Sequence, residues 1–217
     1  MIYNKDFREI IKDLDKEKTL IITDPPYNVG WKYDSYNDKI SKEEYLDLFT
    51  YFEGFKFVVI HYIEDIIEYI VPSLGVPKKV IQWVYNSNMR RQHRSIAFFN
   101  CSPDFSKIKQ SPKNINDPRV NNEVNGYDWW EINLVKNVSK EKENYTNQIP
   151  EKVIYKIIQS TAKDETIFDP FMGSGTTACV ASKLGLKYIS CDISSRAYEI
   201  TKNRLEKIEN NLFNGNI

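Results

Sequence analysis

The sequence predicts an α/β protein: a doubly wound, mostly parallel sheet with a small irregular insertion. Three observations predict it. Short β-branched apolar runs alternate with stretches whose apolar residues recur at helical spacing. Two of those runs end on an acid that opens a distinctive loop, Asp24-Pro25-Pro26-Tyr27 and Asp169-Pro170-Phe171-Met172-Gly173-Ser174-Gly175-Thr176-Thr177. A third acid, Asp192, ends the next run, 19 residues after Gly173. Open α/β sheets bind ligands at the carboxyl ends of their strands, where all three acids fall.

The elements follow in order. Phe7, Ile10, Ile11 and Leu14 lie at i, i+3, i+4 and i+7, the stripe of an amphipathic helix. Leu20 to Ile22 is a short buried strand that stops at Asp24. Ser41 with Glu44 forms a capping box for a helix whose stripe is Tyr45, Leu48, Phe49 and Phe52. Phe55 to Ile60 is a strand, followed by a helix to about Val71. Val80 to Tyr85 and Ser95 to Asn100 are two further strands. Residues 101–147 are rich in Asn, Ser, Pro and Lys and lack periodicity, which marks the insertion, with some order around Tyr127-Asp128-Trp129-Trp130. Both tryptophans read as packing residues. Pro150 suits the first turn of a helix carrying Val153, Ile154, Ile157 and Ile158. Thr166 to Phe168 is a strand, the glycine loop leads into an apolar helix ending near Gly185, and Lys187 to Ser190 begins the strand before Asp192.

Length and composition exclude several classes. The 217 residues suit one domain, 1–217. No run approaches the roughly 18 apolar residues of a membrane span, and the start lacks a signal peptide's pattern. Cys101, Cys179 and Cys191 have no metal-like spacing and, with two histidines, argue against a structural zinc site. They read as reduced thiols of a cytoplasmic protein. His61, at a strand end, reads as structural. Lys and Arg balance Asp and Glu at 30 each, yet residues 78–119 hold nine basic residues against Asp104 and Asp117. That stretch reads either as a solvated charged surface or as a phosphate-binding face, for which Arg90, Arg91, Arg94, Lys107 and Lys109 are the nucleic-acid-binding candidates, with His93 among them.

The two loops carry chemistry. Consecutive prolines fix φ and lack N–H groups, so Asp24 and Tyr27 sit on a rigid turn suited to a planar group that bears N–H donors. The glycines of the second loop allow close approach to a ligand, and Asp192 is placed to accept from ribose hydroxyls. Gly173 to Ala178 also satisfies the loose dinucleotide pattern, so a nicotinamide dehydrogenase is one alternative. Against it, Asp169 would sit poorly beside a pyrophosphate and suits a cofactor with a cationic amino-acid end.

Together these loops resemble the S-adenosylmethionine-dependent DNA amino-methyltransferases, and their order resembles the beta group of that family. Just before Pro150 the family shows His-Pro-x-Gln-Lys-Pro. This chain has Tyr145-Thr146-Asn147-Gln148-Ile149-Pro150, which matches at Gln148 and Pro150. The resemblance implies a Rossmann-like methyltransferase fold, S-adenosylmethionine as cofactor and DNA as partner, with target recognition in residues 101–147. It implies Asp24, Pro25, Pro26 and Tyr27 as the catalytic loop. Asp6, Phe7, Asp24, Asp169, Phe171, Gly173, Ser174, Gly175, Thr176, Asp192 and Ile193 are then cofactor residues, with a helix cap the alternative role for Asp6. The Asp-Pro-Pro-Tyr form is the commoner one in enzymes acting on adenine N6, whereas Ser-Pro-Pro-Tyr favours cytosine N4. Cytosine N4 is the runner-up, and a non-catalytic DNA-binding protein is a third reading. A homodimer and a restriction endonuclease partner complete the expectations.

Overall fold

A computed structural model describes residues 1–33, 35–88, 90–110 and 124–213. Lys113, Asp117 and Arg119 of the basic stretch lie outside the described residues. The chain opens with β1 (Ile2–Tyr3) and α1 (Phe7–Ile10), the latter capped by Asp6 and continued by a 3-10 turn, Ile11–Asp13. Then come β2 (Thr19–Thr23), α2 (Lys42–Thr50) and β3 (Lys56–His61). The capping box of α2 forms as expected, Ser41 Oγ taking the Glu44 N–H and Glu44 returning the bond. The next helical stretch runs as α3 (Ile63–Asp65), a π turn (Ile66–Ile70) and α4 (Val71–Leu74). It is followed by β4 (Lys79–Val84), β5 (His93–Phe99), the short strands β6 (Lys109–Gln110) and β7 (Val124–Asn125), and β8 (Trp129–Glu131). The chain continues with α5 (Glu151–Thr161), β9 (Thr166–Asp169), α6 (Thr176–Lys183), β10 (Tyr188–Cys191) and α7 (Ser195–Phe213).

Eight strands form one sheet in the order β1-β10-β9-β2-β3-β5-β4-β8. All its pairings are parallel except those of β5, which runs against both β3 and β4. The doubly wound, mostly parallel expectation therefore holds. Side chains alternate between two cores, as the two-residue period of a strand requires. Leu20, Ile22, Val58, Ile60, Ile96 and Phe98 face α5 and α6, while Ile21, Phe57, Val59, Ala97 and Phe99 face α1, α2 and the π turn. Burial on both faces explains the unbroken apolar runs.

Chain order reverses between β2 and β9. The strand following β2 lies on one side of this pair and the strand following β9 on the other. Such a switch point leaves a crevice at the carboxyl edge, between the loops that diverge there. Those loops are the ones that begin at Asp24 and Pro170.

Three expectations change. Residues 101–147 are not simply an insertion, because Trp129–Glu131 pairs with β4 as the edge strand of the main sheet. Trp130 is buried as expected, but Trp129 is 38% exposed. Pro150 is the cap of α5 rather than a residue of its first turn.

Candidate active site

One cavity of about 1080 Å³ occupies the crevice, and Asp24, Pro25, Pro26, Tyr27, Asp169, Phe171, Gly173, Ser174, Thr176, Asp192 and Ile193 line it. A single drug-sized ligand needs roughly 300–1,000 Å³, so there is room for two reactants. The strand ends that open the two loops are joined directly, since Thr23 Oγ1 donates to Asp169 Oδ1 at 3.0 Å across the switch point.

The first wall is the Asp24 loop. Tyr27 donates its hydroxyl to Asp24 Oδ1 at 2.6 Å, and its ring stacks on His61 at 4.1 Å between centroids. His61 is fully buried. The single hydroxyl proton of Tyr45 goes to the Pro26 carbonyl at 2.6 Å, so His61 Nε2 donates to Tyr45 at 2.9 Å while its Nδ1 accepts the Tyr62 N–H. His61 is thus a brace beneath Tyr27, in line with its structural reading. Burial pushes the Asp24 carboxyl up, against the Arg94 charge and the Tyr27 hydrogen bond, which hold it down. Burial likewise drives the Tyr27 hydroxyl well above its ordinary value.

Asp38 was missed in the sequence. It is 1% exposed, and its carboxylate accepts the backbone N–H groups of Asn28, Val29 and Trp31 at 2.8, 3.2 and 2.9 Å. Asn28, at φ 56°, holds Ile40 through both its side-chain oxygen and its amide nitrogen. This frame fixes the segment after Tyr27 and leaves Val29 and Trp31 exposed at the cavity mouth. A lone Asp in a polar loop carries no pattern that would have marked it.

The second wall is the glycine loop. Asp192 Oδ2 takes the Gly173 N–H at 3.0 Å and Oδ1 the Ser194 N–H at 2.9 Å, so the acid that closes β10 also shapes the loop. Gly175 lies at φ +77°, and a Cβ there would stand 2.5 Å from Thr201, so both conformation and space demand glycine. Arg204, 6% exposed, donates to the Ser174 carbonyl at 2.7 Å and to Glu151 at 3.0 Å. Asp169 is 3% exposed and receives hydrogen bonds from Thr23 and the Phe171 N–H, with Thr177 also donating. Among the described residues it makes no ion pair, and burial pushes its carboxyl up to about 7. Phe171 packs on Phe7 at 5.2 Å. Asp6 and Phe7 line the cavity, and Asp6 is at the same time the cap of α1, held to Arg8 at 2.6 Å.

The family-like segment before α5 closes the cavity. Gln148 is a clamp, accepting the Glu143 N–H at 2.9 Å and donating to the Glu141 carbonyl at 2.6 Å. Ile149 is buried, and its carbonyl takes the Thr176 hydroxyl at 3.1 Å. An apolar residue therefore suits position 149.

The basic residues separate. Arg90 is exposed, and Arg91 lines the rim, paired with Glu64 at 3.2 Å and 4.0 Å from the Tyr62 ring centroid. Arg94 is not on the exposed face; its side chain is 12% exposed and Nη1 lies 3.4 Å from Asp24 Oδ2. Lys107 and Lys109 lie away from the cavity. Antiparallel β5 carries the chain back to the amino edge, where Asp104 bonds to the end of α5 and Lys109 to Asn125.

A crevice at the switch point of a doubly wound sheet, with room for two reactants and an acid on each wall, defines a two-ligand α/β enzyme. A family model described as DNA methylase, of the N6/N4 methyltransferase kind, matches residues 50–203, and the chain belongs to this family. The match contains the glycine loop and Asp192 and begins after Tyr27. Type II methyltransferase M.HpaI of Haemophilus parainfluenzae is 27% identical over 225 residues, covering 90% of this chain and 71% of that protein. The crystal structure of the M1.HpyAVI–SAM complex aligns with a TM-score of 0.62 at 24% identity, over 94% of this chain and 98% of that one. PvuII DNA methyltransferase, cytosine-N4-specific, aligns at 0.67 with 17% identity, over 99% and 92%. These two likenesses establish the fold. Family membership sets aside the nicotinamide dehydrogenase.

Proposed function

We propose that this protein methylates the exocyclic N6 amine of adenine in DNA, with S-adenosylmethionine as methyl donor. The observation that carries the reading is the single cavity lined by both the Asp24 loop and the glycine loop, whose strand ends the Thr23–Asp169 bond ties together. The residues present fit the cofactor. Asp169 is a buried acid whose donors among the described residues are neutral, suited to a cationic amino-acid end; Asp192 suits a ribose; and Phe7, Phe171 and Ile193 offer apolar surface. Asp6, Gly173, Ser174 and Thr176 complete that wall, while Gly175 does not line the cavity and turns the loop into α6. When bound, S-adenosylmethionine supplies an electrophilic methyl on a sulfonium.

This chain's residues prepare the amine. Its lone pair is delocalised into the base, which makes it a weak nucleophile. Asp24 and the Pro25 carbonyl accept its two N–H bonds, which favours a pyramidal nitrogen, and Asp24 holds the positive charge that develops there. Tyr27, braced by His61, gives the base a ring to stack on, a contact worth roughly 1–3 kcal/mol. A paired amine is buried in a duplex, so the base is first rotated out of the stack. Holding both reactants in one cleft supplies much of the remaining rate. No metal and no covalent enzyme intermediate is needed.

Arg90 and Arg91 are the phosphate contacts in this reading, and the part of residues 101–147 that walls the cleft reads the target sequence. Likeness to a type II methyltransferase supports a restriction endonuclease that shares the site. Asp rather than Ser at position 24 supports adenine. The test is DNA incubated with protein and methyl-labelled S-adenosylmethionine, digested, and read as nucleosides by mass spectrometry. Labelled N6-methyladenine is expected. Label in N4-methylcytosine alone moves the assignment to cytosine, and no label rejects methyl transfer.

A further inference from the structure

Arg94 is turned into the cleft from β5. Its Nη1 lies 3.4 Å from Asp24 Oδ2, and its Cζ lies 5.3 Å from the Tyr27 ring centroid and 5.6 Å from that of Trp83. Its Nε–H is buried and has no hydrogen-bond partner among the described residues. That nitrogen is closed off from any ligand, so a ligand meets Arg94 through the terminal nitrogens of a side chain that lines the cavity beside Asp24. Arg94 and Asp24 therefore present a donor beside an acceptor.

Nucleobases divide sharply against such a pair. On its Watson–Crick edge adenine carries the N6 amine beside the acceptor N1, and cytosine carries the N4 amine beside the acceptor N3. Guanine and thymine present the reverse, a carbonyl oxygen beside a ring N–H. An extruded base is read on this edge. We infer that Arg94 is a specificity-determining residue whose guanidinium donates to the ring nitrogen next to the reacting amine, while Asp24 accepts from that amine. Guanine and thymine would set a carbonyl oxygen against the Asp24 carboxylate and an N–H against the Arg94 donor, so they are refused. The inference rests on the proposed amine methylation and adds the reading of the neighbouring ring atom. It also explains why a phosphate role does not fall to Arg94, which has no exposed guanidinium to offer.

The test uses the full-length protein and duplexes that carry its methylated site, once mapped, with the target as adenine or as 1-deazaadenine, in which a C–H replaces N1. If the mapped product is N4-methylcytosine, cytosine and 3-deazacytosine take their place. The wild type is expected to lose roughly tenfold in kcat/KM on the deaza target, as for one charge-assisted hydrogen bond. Arg94→Met and Arg94→Gln start slower and lose less than twofold further. Comparing proteins on the same pair of duplexes cancels the analogue's own change in reactivity, and S-adenosylmethionine affinity reports that each variant is folded. If both variants keep the wild-type sensitivity, or the wild type shows none, Arg94 does not read the ring nitrogen. If the wild type methylates no base in any DNA, the amine reading fails and this one with it.

Discussion

Asp169 makes both folding and cofactor binding sensitive to pH. Burial raises its carboxyl from the ordinary value of 3.8 to about 7. The ligand-free folded chain therefore binds more protons than the unfolded chain between those values, and folding stability falls as pH rises through that window. The slope is about 1.4 kcal/mol per pH unit well below pH 7 and about half that at pH 7, so from pH 5 to pH 7 this one group removes about 2 kcal/mol. Asp169→Asn keeps the volume and removes the titration. Urea unfolding of both proteins at pH 5, 6 and 7 isolates the contribution as the difference between them. A cation bound beside Asp169 favours its ionised form, so S-adenosylmethionine affinity should rise towards tenfold per unit over the same range in the wild type. The variant should show weak, pH-independent binding. A wild-type-minus-variant stability that is flat with pH, together with flat wild-type affinity, would refute the assignment of Asp169 as a buried, unpaired acid awaiting a cation.

Other outcomes follow from single contacts. Gly175→Ala forces a Cβ to 2.5 Å from Thr201 at φ +77°, and should cost about 2–4 kcal/mol and weaken cofactor binding, read by unfolding and calorimetry. Asp38→Ala leaves three backbone N–H groups without their acceptor. A loss of about 2 kcal/mol is expected, a drop in Tm of roughly 4–8 °C, with turnover impaired more than S-adenosylmethionine binding. Arg90→Ala and Arg91→Ala should each lower the slope of log affinity for DNA against log salt by about 0.9, as for one phosphate contact. Lys107→Ala and Lys109→Ala, at the far edge of the sheet, should leave that slope unchanged.

Much of this arrangement was legible in the chain because it rests on local signals. Leu20 to Ile22 ends at an acid followed by two prolines, and Thr166 to Phe168 at an acid followed by glycines, so both walls of the cleft announce themselves. The Ser41–Glu44 box needs only four residues to be recognised and is present as expected. The parts that were not legible depend on distant partners. Arg94 reads as one more charge in a basic run, and only the pairing of β5 with β3 turns it towards Asp24, 70 residues earlier. The same antiparallel strand sends Lys107 and Lys109 to the opposite edge, which a linear count of charge cannot register. Arg204 lies far along α7, yet it holds the Ser174 carbonyl. Trp129–Glu131 is too short for periodicity to distinguish it from the surrounding loop.

In the proposed function, Asp24 serves the acceptor half of a cleft whose other half binds the methyl donor independently. Turnover and S-adenosylmethionine affinity measured side by side for wild type and Asp24→Ala test it most directly. Turnover is expected to fall by roughly a hundred- to a thousandfold, the scale of one lost electrostatic contact to the reacting centre, while cofactor affinity stays within about twofold. Normal turnover in Asp24→Ala would contradict it.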